Sequence, residues 1–345
     1  MRGDHAGWLV CPRCADELIL LADVTSDDGI VEFGRLECRD CGRSYDLVRC
    51  IPRFVPEKNY AAGFGVEWNA HARTQYDEHS GRSISEQRFF EETRWPRDLA
   101  GERVLEVGSG SGRFTQWAAS TGADVVSVDL SSAVEANYRS NGGKPSVLIA
   151  QADVYELPVQ TGSFDKVVCL GMLQHTPDVK RSFLTLTKYV KPGGSLVVDV
   201  YRRTPRRFFT LAYWLRPILR YLPPATLYRW SKGYVKLMWP LARLIGRLPG
   251  GTNVNKALMI VDHRDRFPLS DEMLREWAIL DTFDWLSAFY NKPQRLETVG
   301  RWFEEVGFED VDVHYGHNGI EGRGRRPKAR AAAPAATGVR SDAGR

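Results

Sequence analysis

Short apolar runs recur through the middle of the chain, and each ends in a polar or glycine-rich turn. The runs cover residues 104–107, 124–129, 147–152, 164–171 and 195–201. Continuous apolar runs of this length are typical of strands buried on both faces of a sheet, and the stretches between them are long enough for helices. The alternation therefore predicts an α/β fold with a parallel sheet across residues 100–201.

Three glycines follow the first of these strands at every second position: Gly108, Gly110 and Gly112. Glycines at such a point let the backbone turn tightly and approach a ligand closely. A dinucleotide fingerprint would need a glycine where Arg113 stands, so the spacing argues against NAD. Residues 111–122 then predict a helix. The loop predicts a site for a nucleotide-type cofactor other than a dinucleotide.

Acidic residues follow the next two strands. Asp129 ends the second strand, where a ribose diol would need an acceptor, and Asp153 follows the third. The segment from Met172 to Asp178 follows the fourth strand, and Lys191-Pro-Gly-Gly194 precedes the fifth.

Taken in order over residues 100–201, Glu106-x-Gly108-x-Gly110-x-Gly112 and these later motifs resemble class I S-adenosylmethionine (SAM) methyltransferases of the small-molecule branch. The resemblance implies a Rossmann-like, mostly parallel seven-stranded sheet with SAM as cofactor. Asp129 would then bind the ribose, and Asp153 the adenine amino group. The implied cofactor-binding residues are Glu106, Gly108, Gly110, Gly112, Asp129, Leu130, Asp153, Val154 and Leu170.

His175 is the candidate catalytic residue, since it lies after the fourth strand at the carboxyl edge of the sheet, where ligands bind in such folds. It has two possible roles: a base toward an alcohol or phenol acceptor, or packing on the methionine end of the cofactor. His71 and His79, in an aromatic-rich segment ahead of the sheet, are weaker candidates. Ser83 and Glu86 in that segment predict a capping box before a helix.

Four cysteines form two C-x-x-C pairs, Cys11 with Cys14 and Cys38 with Cys41. Two such knuckles joined by a hairpin predict a closed, structural S₄ site for Zn²⁺, the alternative being reduced thiols without metal. Residues 9–54 resemble the zinc ribbons that accompany several methyltransferases. Arg49-Cys50 depart from the usual turn of those ribbons, which leaves the geometry of that turn open.

The stretch from Val200 to Val261 contains no Asp or Glu but twelve Lys and Arg residues, among them Arg206 and Arg207, and ten interleaved aromatic residues. Apolar spacing predicts helices there, broken by prolines at positions 217, 223, 224 and 240. We expect a helical cap over the pocket that meets an acidic small acceptor, an anionic membrane surface or RNA. The alternative is a solvated basic face. Residues 281–290 carry aromatic and acidic residues that are candidates to line the acceptor pocket.

The predicted organisation is a zinc ribbon (1–58), a helical segment (59–99), the SAM-binding core (100–201), a basic helical cap (202–292), a helix and strands completing the sheet (293–322) and a disordered basic tail (323–345). The formal net charge is +4, and 43% of the 345 residues are hydrophobic, as in ordinary globular proteins. No leader or membrane-spanning run is evident, so we expect the cytoplasm, with peripheral membrane contact as an alternative.

The favoured function is methyl transfer to a small-molecule, lipid-linked or saccharide acceptor. Oxygen is the favoured atom, because the run after the fourth strand lacks the Asn/Asp-Pro-Pro-aromatic tetrad with which base-modifying relatives clamp a planar nitrogen. Two alternatives stay open: an RNA-modifying methyltransferase using ribbon and cap, and a non-catalytic SAM-binding partner protein.

Overall fold

The computed structural model of the chain describes residues 1–56, 58–204 and 210–328. Its N-terminal module is an antiparallel sheet in the order β1-β2-β3-β4. The strands are β1 (Leu18–Thr25), β2 (Val31–Cys38), β3 (Ser44–Val48) and β4 (Ile51–Pro52). The β1–β2 hairpin joins the two cysteine pairs, with Gly29 in its turn at a φ of 75°.

Arg49 and Cys50 form a two-residue turn between β3 and β4, since Val48 pairs with Ile51. Both turn residues have positive φ, 51° and 66°. Tight hairpins prefer Asn-Gly or Gly-Gly there, because a side chain in the left-handed region costs roughly 1–2 kcal/mol. The chain forms the tight hairpin although neither turn residue is glycine or asparagine, and both turn residues keep a strained backbone conformation.

Three helices connect this module to the main sheet: α1 (Ala62–Ala70), α2 (Asp77–Ser80) and α3 (Ile84–Thr93). The predicted capping box at Ser83 is wrong, because the Ser83 side chain makes no cap hydrogen bond. The Asp77 carboxylate accepts from the backbone N–H groups of Ser85 and Glu86 instead, at 2.7 and 2.8 Å. A charged acceptor from the preceding helix thus replaces the local hydroxyl.

The main sheet has seven strands in the order β10-β11-β9-β8-β5-β6-β7. Its parallel strands are β5 (Arg103–Val107), β6 (Asp124–Asp129), β7 (Val147–Gln151), β8 (Phe164–Cys169) and β9 (Val190–Val200). The connecting helices are α4 (Thr115–Ser120), α5 (Val134–Asn141) and α6 (Val179–Thr187). The α/β prediction with a mostly parallel seven-stranded sheet is confirmed. The strand order reverses between β5 and β8, which is where ligands bind in such sheets.

Helix α4 begins four residues later than the sequence predicted, at Thr115 rather than residue 111. The glycine loop extends further because Gly110 and Gly112 both have positive φ, 54° and 87°, which a right-handed helix cannot include. The extra loop residues lie along the ligand edge of the sheet.

The N-terminal module is joined to the edge strand of the main sheet. Arg53 forms a parallel bridge to Gln151 in β7, and the Phe54 N–H donates to the Gln151 carbonyl at 2.8 Å. The Arg53 guanidinium also pairs with the Glu135 carboxylate on α5. Ile51, fully buried, packs in the same apolar cluster as Val147. The module and the sheet therefore share one core.

The cap consists of α7 (Leu211–Leu219), α8 (Pro224–Ile245), α9 (Gly251–Ala257) and α10 (Asp271–Ser287). The expectation that prolines divide it into short pieces is wrong at Pro217 and Pro240, which lie inside α7 and α8. Buried Val235 and Trp239 pack with residues of α10, and this tertiary contact offsets the lost backbone hydrogen bond. Arg206 and Arg207 lie outside the described residues.

Helix α11 (Leu296–Glu305) and the strands β10 (Glu309–Tyr315) and β11 (Ile320–Arg325) complete the sheet as its antiparallel pair. Strand β11 continues three residues past the predicted boundary at 322, because Arg323 is buried and donates to the Asp312 carboxylate. Among the described residues, no helix combines the length and the apolar character needed to span a bilayer.

Candidate active site

A single cavity of about 770 Å³ runs along the carboxyl ends of β5, β6 and β8 and continues under the cap. One end is lined by the glycine loop and the turns after β6 and β8, and its roof by Tyr60, Phe64 and Trp68 of the segment at α1. The other end is lined by residues of the cap, including Trp277 and Trp285. Its volume suits a small-molecule site.

The glycine loop forms the floor of the first end. Gly108 has a φ of 82°, and a Cβ atom there would lie 2.4 Å from the Met172 side chain. The Gly110 N–H donates to the Asp129 carboxylate at 2.9 Å, and Gly110 also lines the cavity. A side chain at Gly108 would collide with the turn after β8, so the loop can approach that turn only as glycine.

Asp129 and Leu130 line the cavity at the end of β6. One Asp129 oxygen accepts from Gly110, and the other accepts from the backbone and the hydroxyl of Ser131, at 2.8 and 2.7 Å. Burial raises the pKa of Asp129, and these hydrogen bonds oppose that rise. A carboxylate offers about four acceptor positions, so this one is held rigidly with a position left for a ligand hydroxyl.

Glu106 and Gly112 are not in the cavity wall; they support the loop from behind. Glu106 is buried, and its Oε2 accepts from Thr115 at 2.5 Å and Ser127 at 3.0 Å. Burial raises the pKa of this carboxyl to about 7. A Cβ on Gly112 would lie 2.1 Å from the Asn137 amide oxygen, and Asn137 donates to the Ser127 hydroxyl. This network of polar side chains was not predicted.

The turn after β7 places Val154 on the cavity wall, while Leu170 lines the wall after β8. Asp153, predicted to bind the adenine, is partly buried next to this wall and does not line it. Its Oδ1 accepts from the Tyr155 N–H at 3.0 Å. Of the nine predicted cofactor residues, six line the cavity: Gly108, Gly110, Asp129, Leu130, Val154 and Leu170.

His175 lies in the cavity wall within a short 3₁₀ turn, Leu173–His175. It is buried, and its Nδ1 lies 3.0 Å from the Tyr290 carbonyl oxygen. Because a carbonyl only accepts, Nδ1 carries a proton, and Nε2 is the ring nitrogen that can gain or lose one. The rings of Phe64 and Tyr201 hold the imidazole edge-on, at 4.9 and 5.5 Å between centroids.

His71 and His79 do not line the cavity. His71 is buried against Thr74 and Tyr228, at 3.1 Å from each hydroxyl. His79 lies 3.3 Å from the Glu276 carboxylate. Both histidines therefore have structural partners, which agrees with the sequence analysis that ranked them below His175 as catalytic candidates.

Arg113 is a cavity residue that sequence analysis used only to exclude NAD. Its guanidinium lies over the Phe114 ring at 4.3 Å, and it makes no ion pair with any residue that the structure describes. Burial and the neighbouring charge of Arg88 lower its pKa to about 9. Such a cation is a natural partner for a ligand carboxylate. The sequence signal that could have identified Arg113 as a cavity residue is its position directly after the glycine loop.

The cap end of the cavity is acidic inside. Asp281, Asp284 and Trp285 line it, as expected for the segment 281–290, and Glu67 of α1 joins them. Asp281 pairs with His263 at 2.6 Å. Burial, together with the charges of Asp284 and Asp281, raises the pKa of Glu67 well above its ordinary range.

The four cysteine sulfurs of the N-terminal module lie within 4.8 Å of one another. Cys11 and Cys41 are 3.7 Å apart, and Cys14 and Cys38 are 3.3 Å apart. A tetrahedral zinc site with Zn–S bonds of about 2.3 Å requires sulfur separations of roughly 3.8 Å. The four thiols thus fit the predicted ion, far from the cavity.

The fold and this cavity define a cofactor-binding α/β domain with a Rossmann-like sheet. The family described as "Methyltransferase domain" matches residues 105–198. The chain thus contains a methyltransferase domain over these residues, which confirms the resemblance to SAM-dependent methyltransferases noted in the sequence.

Similar proteins include two named ubiquinone biosynthesis O-methyltransferase. That of Xanthomonas oryzae pv. oryzae is 38% identical over 132 residues, covering 37% of this chain and 55% of the relative. That of Marinobacter nauticus is 32% identical over 139 residues, covering 39% and 58%. The chain thus spans little more than half the length of these relatives. A solved SAM-dependent methyltransferase from Mesorhizobium loti is 19% identical, with a TM-score of 0.41 over 70% of this chain and 98% of that one.

Proposed function

We propose that this protein transfers a methyl group from SAM to an oxygen of a small-molecule acceptor. The observation that carries the proposal is the continuous cavity, which joins the glycine loop and Asp129 at one end to the cap at the other. Cofactor and acceptor then meet in one enclosed space. The similar proteins from Xanthomonas oryzae and Marinobacter nauticus are named as O-methyltransferases, which supports oxygen as the acceptor atom.

The residues of the first end fit the cofactor. The free acceptor position of Asp129 suits a ribose hydroxyl, and Arg113 suits the methionine carboxylate. SAM, when bound, supplies a methyl group on a sulfonium whose departure as a neutral thioether needs no acid. The protein's task is chiefly to align acceptor and methyl group and to exclude water.

His175 is proposed as the base. With Nδ1 held by the Tyr290 carbonyl, Nε2 would take the proton that an acceptor hydroxyl loses as its oxygen gains the methyl group. The rival role, packing against the cofactor, predicts that a His175→Gln variant loses SAM affinity. The base role predicts that the variant binds SAM with unchanged affinity but reacts at least roughly 10²-fold more slowly.

The proposal is tested by calorimetric titration of SAM into the wild type and Asp129→Ala. We expect binding that weakens roughly 10-fold or more in the variant, since a charge-assisted hydrogen bond is lost. Asp124→Ala, at the exposed opposite end of the same strand, is the matched control and should bind normally. Absence of SAM binding by the wild type would sink the proposal. Release of S-adenosylhomocysteine with an acceptor would eliminate the non-catalytic alternative.

The outer face of the cap supports an acceptor presented at a lipid surface. Large apolar side chains are exposed there: Leu211, Trp214, Ile218, Tyr221, Leu222, Trp230, Leu237, Leu241, Leu244, Leu248 and Val254. Four of them, Trp230, Leu237, Leu241 and Leu244, recur every three, four or seven positions and form one stripe on α8, and Leu248 follows shortly after its end. Exposed basic residues flank this stripe, among them Arg229, Lys232 and Lys236. We call this surface the outer cap face.

We propose that the outer cap face lies on an anionic membrane. Apolar side chains would enter the headgroup boundary while Lys and Arg meet lipid phosphates, and the stretch from Val200 to Val261 carries no acid to oppose them. RNA binding would use the charges but leaves the exposed leucines unexplained.

Sedimentation with equimolar phosphatidylglycerol–phosphatidylcholine vesicles tests this contact. The wild type should bind them and ignore pure phosphatidylcholine. A Leu237→Ser, Leu244→Ser variant should lose binding, while Val24→Ser, a change of an exposed apolar residue in β1, should not. If the leucine variant binds vesicles normally, the proposal fails. Binding of a single-stranded RNA with a steep salt dependence would then favour the RNA-modifying alternative.

We also propose that the four cysteines hold Zn²⁺. Two lines support it: the double C-x-x-C spacing and the short separations between the four sulfurs. A closed S₄ site leaves no open coordination position, so the ion would stabilise the module and take no part in methyl transfer.

A further inference from the structure

Three carboxyl groups converge at the cap end of the cavity, although the cap is basic outside. Glu67 comes from α1, and Asp281 and Asp284 come from successive turns of α10. Glu67 is only 1% exposed. Within the described parts of the chain, Oε2 of Glu67 and Oδ1 of Asp284 are buried and accept no hydrogen bond. We call Glu67, Asp281 and Asp284 the acidic pocket.

Such an arrangement is costly for the protein alone. A buried carboxylate without partners loses several kcal/mol of hydration, and three together repel one another. Accordingly, burial together with mutual repulsion raises the pKa of Glu67 and of Asp284. Glu67 and Asp284 both line the cavity, so a donor from a ligand could satisfy their unused oxygens.

Positive groups lie beside two of the three carboxyls. His263 pairs with Asp281. Arg216 lies near Asp284, but its Nε donates to the Trp285 carbonyl at 2.5 Å, and its guanidinium lies over the Tyr213 ring at 4.8 Å. His175, the proposed base, also faces Asp284. No cation is among the groups that act on Glu67. Glu67 is thus the carboxyl without a cationic neighbour, and a ligand ammonium group beside it would stabilise its ionised form.

Aromatic rings line the same end of the cavity. Trp277 stacks on Phe267 with centroids 5.2 Å apart and planes 11° apart, and Tyr201 and Trp285 complete the wall. Aromatic faces attract organic cations, most strongly where water is excluded. Carboxylates and aromatic rings together suit an ammonium group.

We infer that the acidic pocket binds an ammonium group of the acceptor, so that the acceptor class is a hydroxylated amine. This inference rests on the proposed function. A protonated amine has no lone pair to receive a methyl group; it serves recognition and holds the hydroxyl for methylation near His175. The anionic acceptor expected from the basic cap is thus replaced by a cationic one, and the basic residues serve the outer cap face.

Binding of phenethylammonium and of its anionic counterpart 3-phenylpropionate tests the inference, followed by quenching of tryptophan fluorescence. The wild type should bind phenethylammonium about tenfold or more tightly than 3-phenylpropionate. In Glu67→Gln, Asp284→Asn the ratio should fall to near one. Glu304→Gln, an exposed change on α11, is the control and should keep the wild-type ratio.

Equal affinity for the two probes, binding of neither, or an unchanged ratio in the double variant would each overturn the inference. Circular dichroism checks that the variants fold. If the double variant does not fold, the single variant Asp284→Asn replaces it. The ratio of the two probe affinities should fall in the single variant as well. SAM titration on the same samples separates the two proposals. A protein that selects phenethylammonium but does not bind SAM refutes methyl transfer, and one that binds SAM without this selectivity refutes only the acidic pocket.

Discussion

Replacing Glu106 with glutamine should stabilise the protein in neutral and alkaline solution. Glu106 is almost fully buried behind the glycine loop, where its carboxyl is held by the hydroxyls of Thr115 and Ser127. Burial raises its pKa from 4.5 to about 7, so the folded state prefers the neutral acid. Glutamine has the same shape and no charge, and both hydroxyls can rotate to accept from its amide.

The magnitude follows from proton linkage. Below pH 4.5 the carboxyl is protonated in both the folded and the unfolded state, so it does not affect the free energy of unfolding. Between that pH and about 7, the unfolded chain releases the proton while the folded protein keeps it, so stability falls as pH rises. One pKa unit is worth about 1.4 kcal/mol, so the penalty that glutamine removes is roughly 1 kcal/mol at about pH 5 and roughly 3 kcal/mol at about pH 8.

Urea unfolding followed by near-ultraviolet circular dichroism measures the difference. We expect the gain in free energy of unfolding of Glu106→Gln over the wild type to grow by roughly 2 kcal/mol between the two pH values. Glu156→Gln, an exposed change after β7, should show no such growth. A gain independent of pH, or a loss at the alkaline value, would refute the reasoning that burial keeps Glu106 neutral.

Three further substitutions test other parts of the structure. Arg113→Met should weaken SAM binding roughly 10- to 100-fold in calorimetry by removing the proposed carboxylate partner, whereas exposed Arg139→Met should not; equal affinities would exclude that role. Cys38→Ser should lose bound zinc in elemental analysis and open residues 9–54 to limited proteolysis; retained metal would contradict the S₄ site. Arg49→Gly should raise the melting temperature, because it relieves a positive φ worth about 1 kcal/mol; a lower value would show that the turn is unstrained.

Local motifs made much of the fold predictable. The apolar strands and the loop from Gly108 to Gly112 specify a parallel sheet and its ligand edge, because strand burial and tight turns depend on neighbouring residues. The two cysteine pairs likewise predict their own hairpin. The prediction that a helix is broken at Pro240 was wrong, because α8 continues through this proline. Its continuation depends on packing against α10, which is distant in the sequence.

The acceptor end was less predictable for the same reason. Glu67 precedes Asp284 by more than two hundred residues, and nothing near either residue indicates that they meet. The composition of the cap does not tell which side of a helix a charge occupies, so it did not reveal the carboxyl groups that line the cavity. Arg113 was visible in the sequence, but its lack of an ion pair became evident only from its surroundings.

The junction between Arg53 and Gln151 has a consequence for how the protein behaves when the proposed Zn²⁺ is removed. Strand β7 is the last of its sheet, and the N-terminal module covers its otherwise unpaired backbone. Uncovered sheet borders recruit strands from other molecules. If the proposed Zn²⁺ keeps the module folded, its removal should uncover this strand, and we expect the protein to self-associate before its methyltransferase domain unfolds.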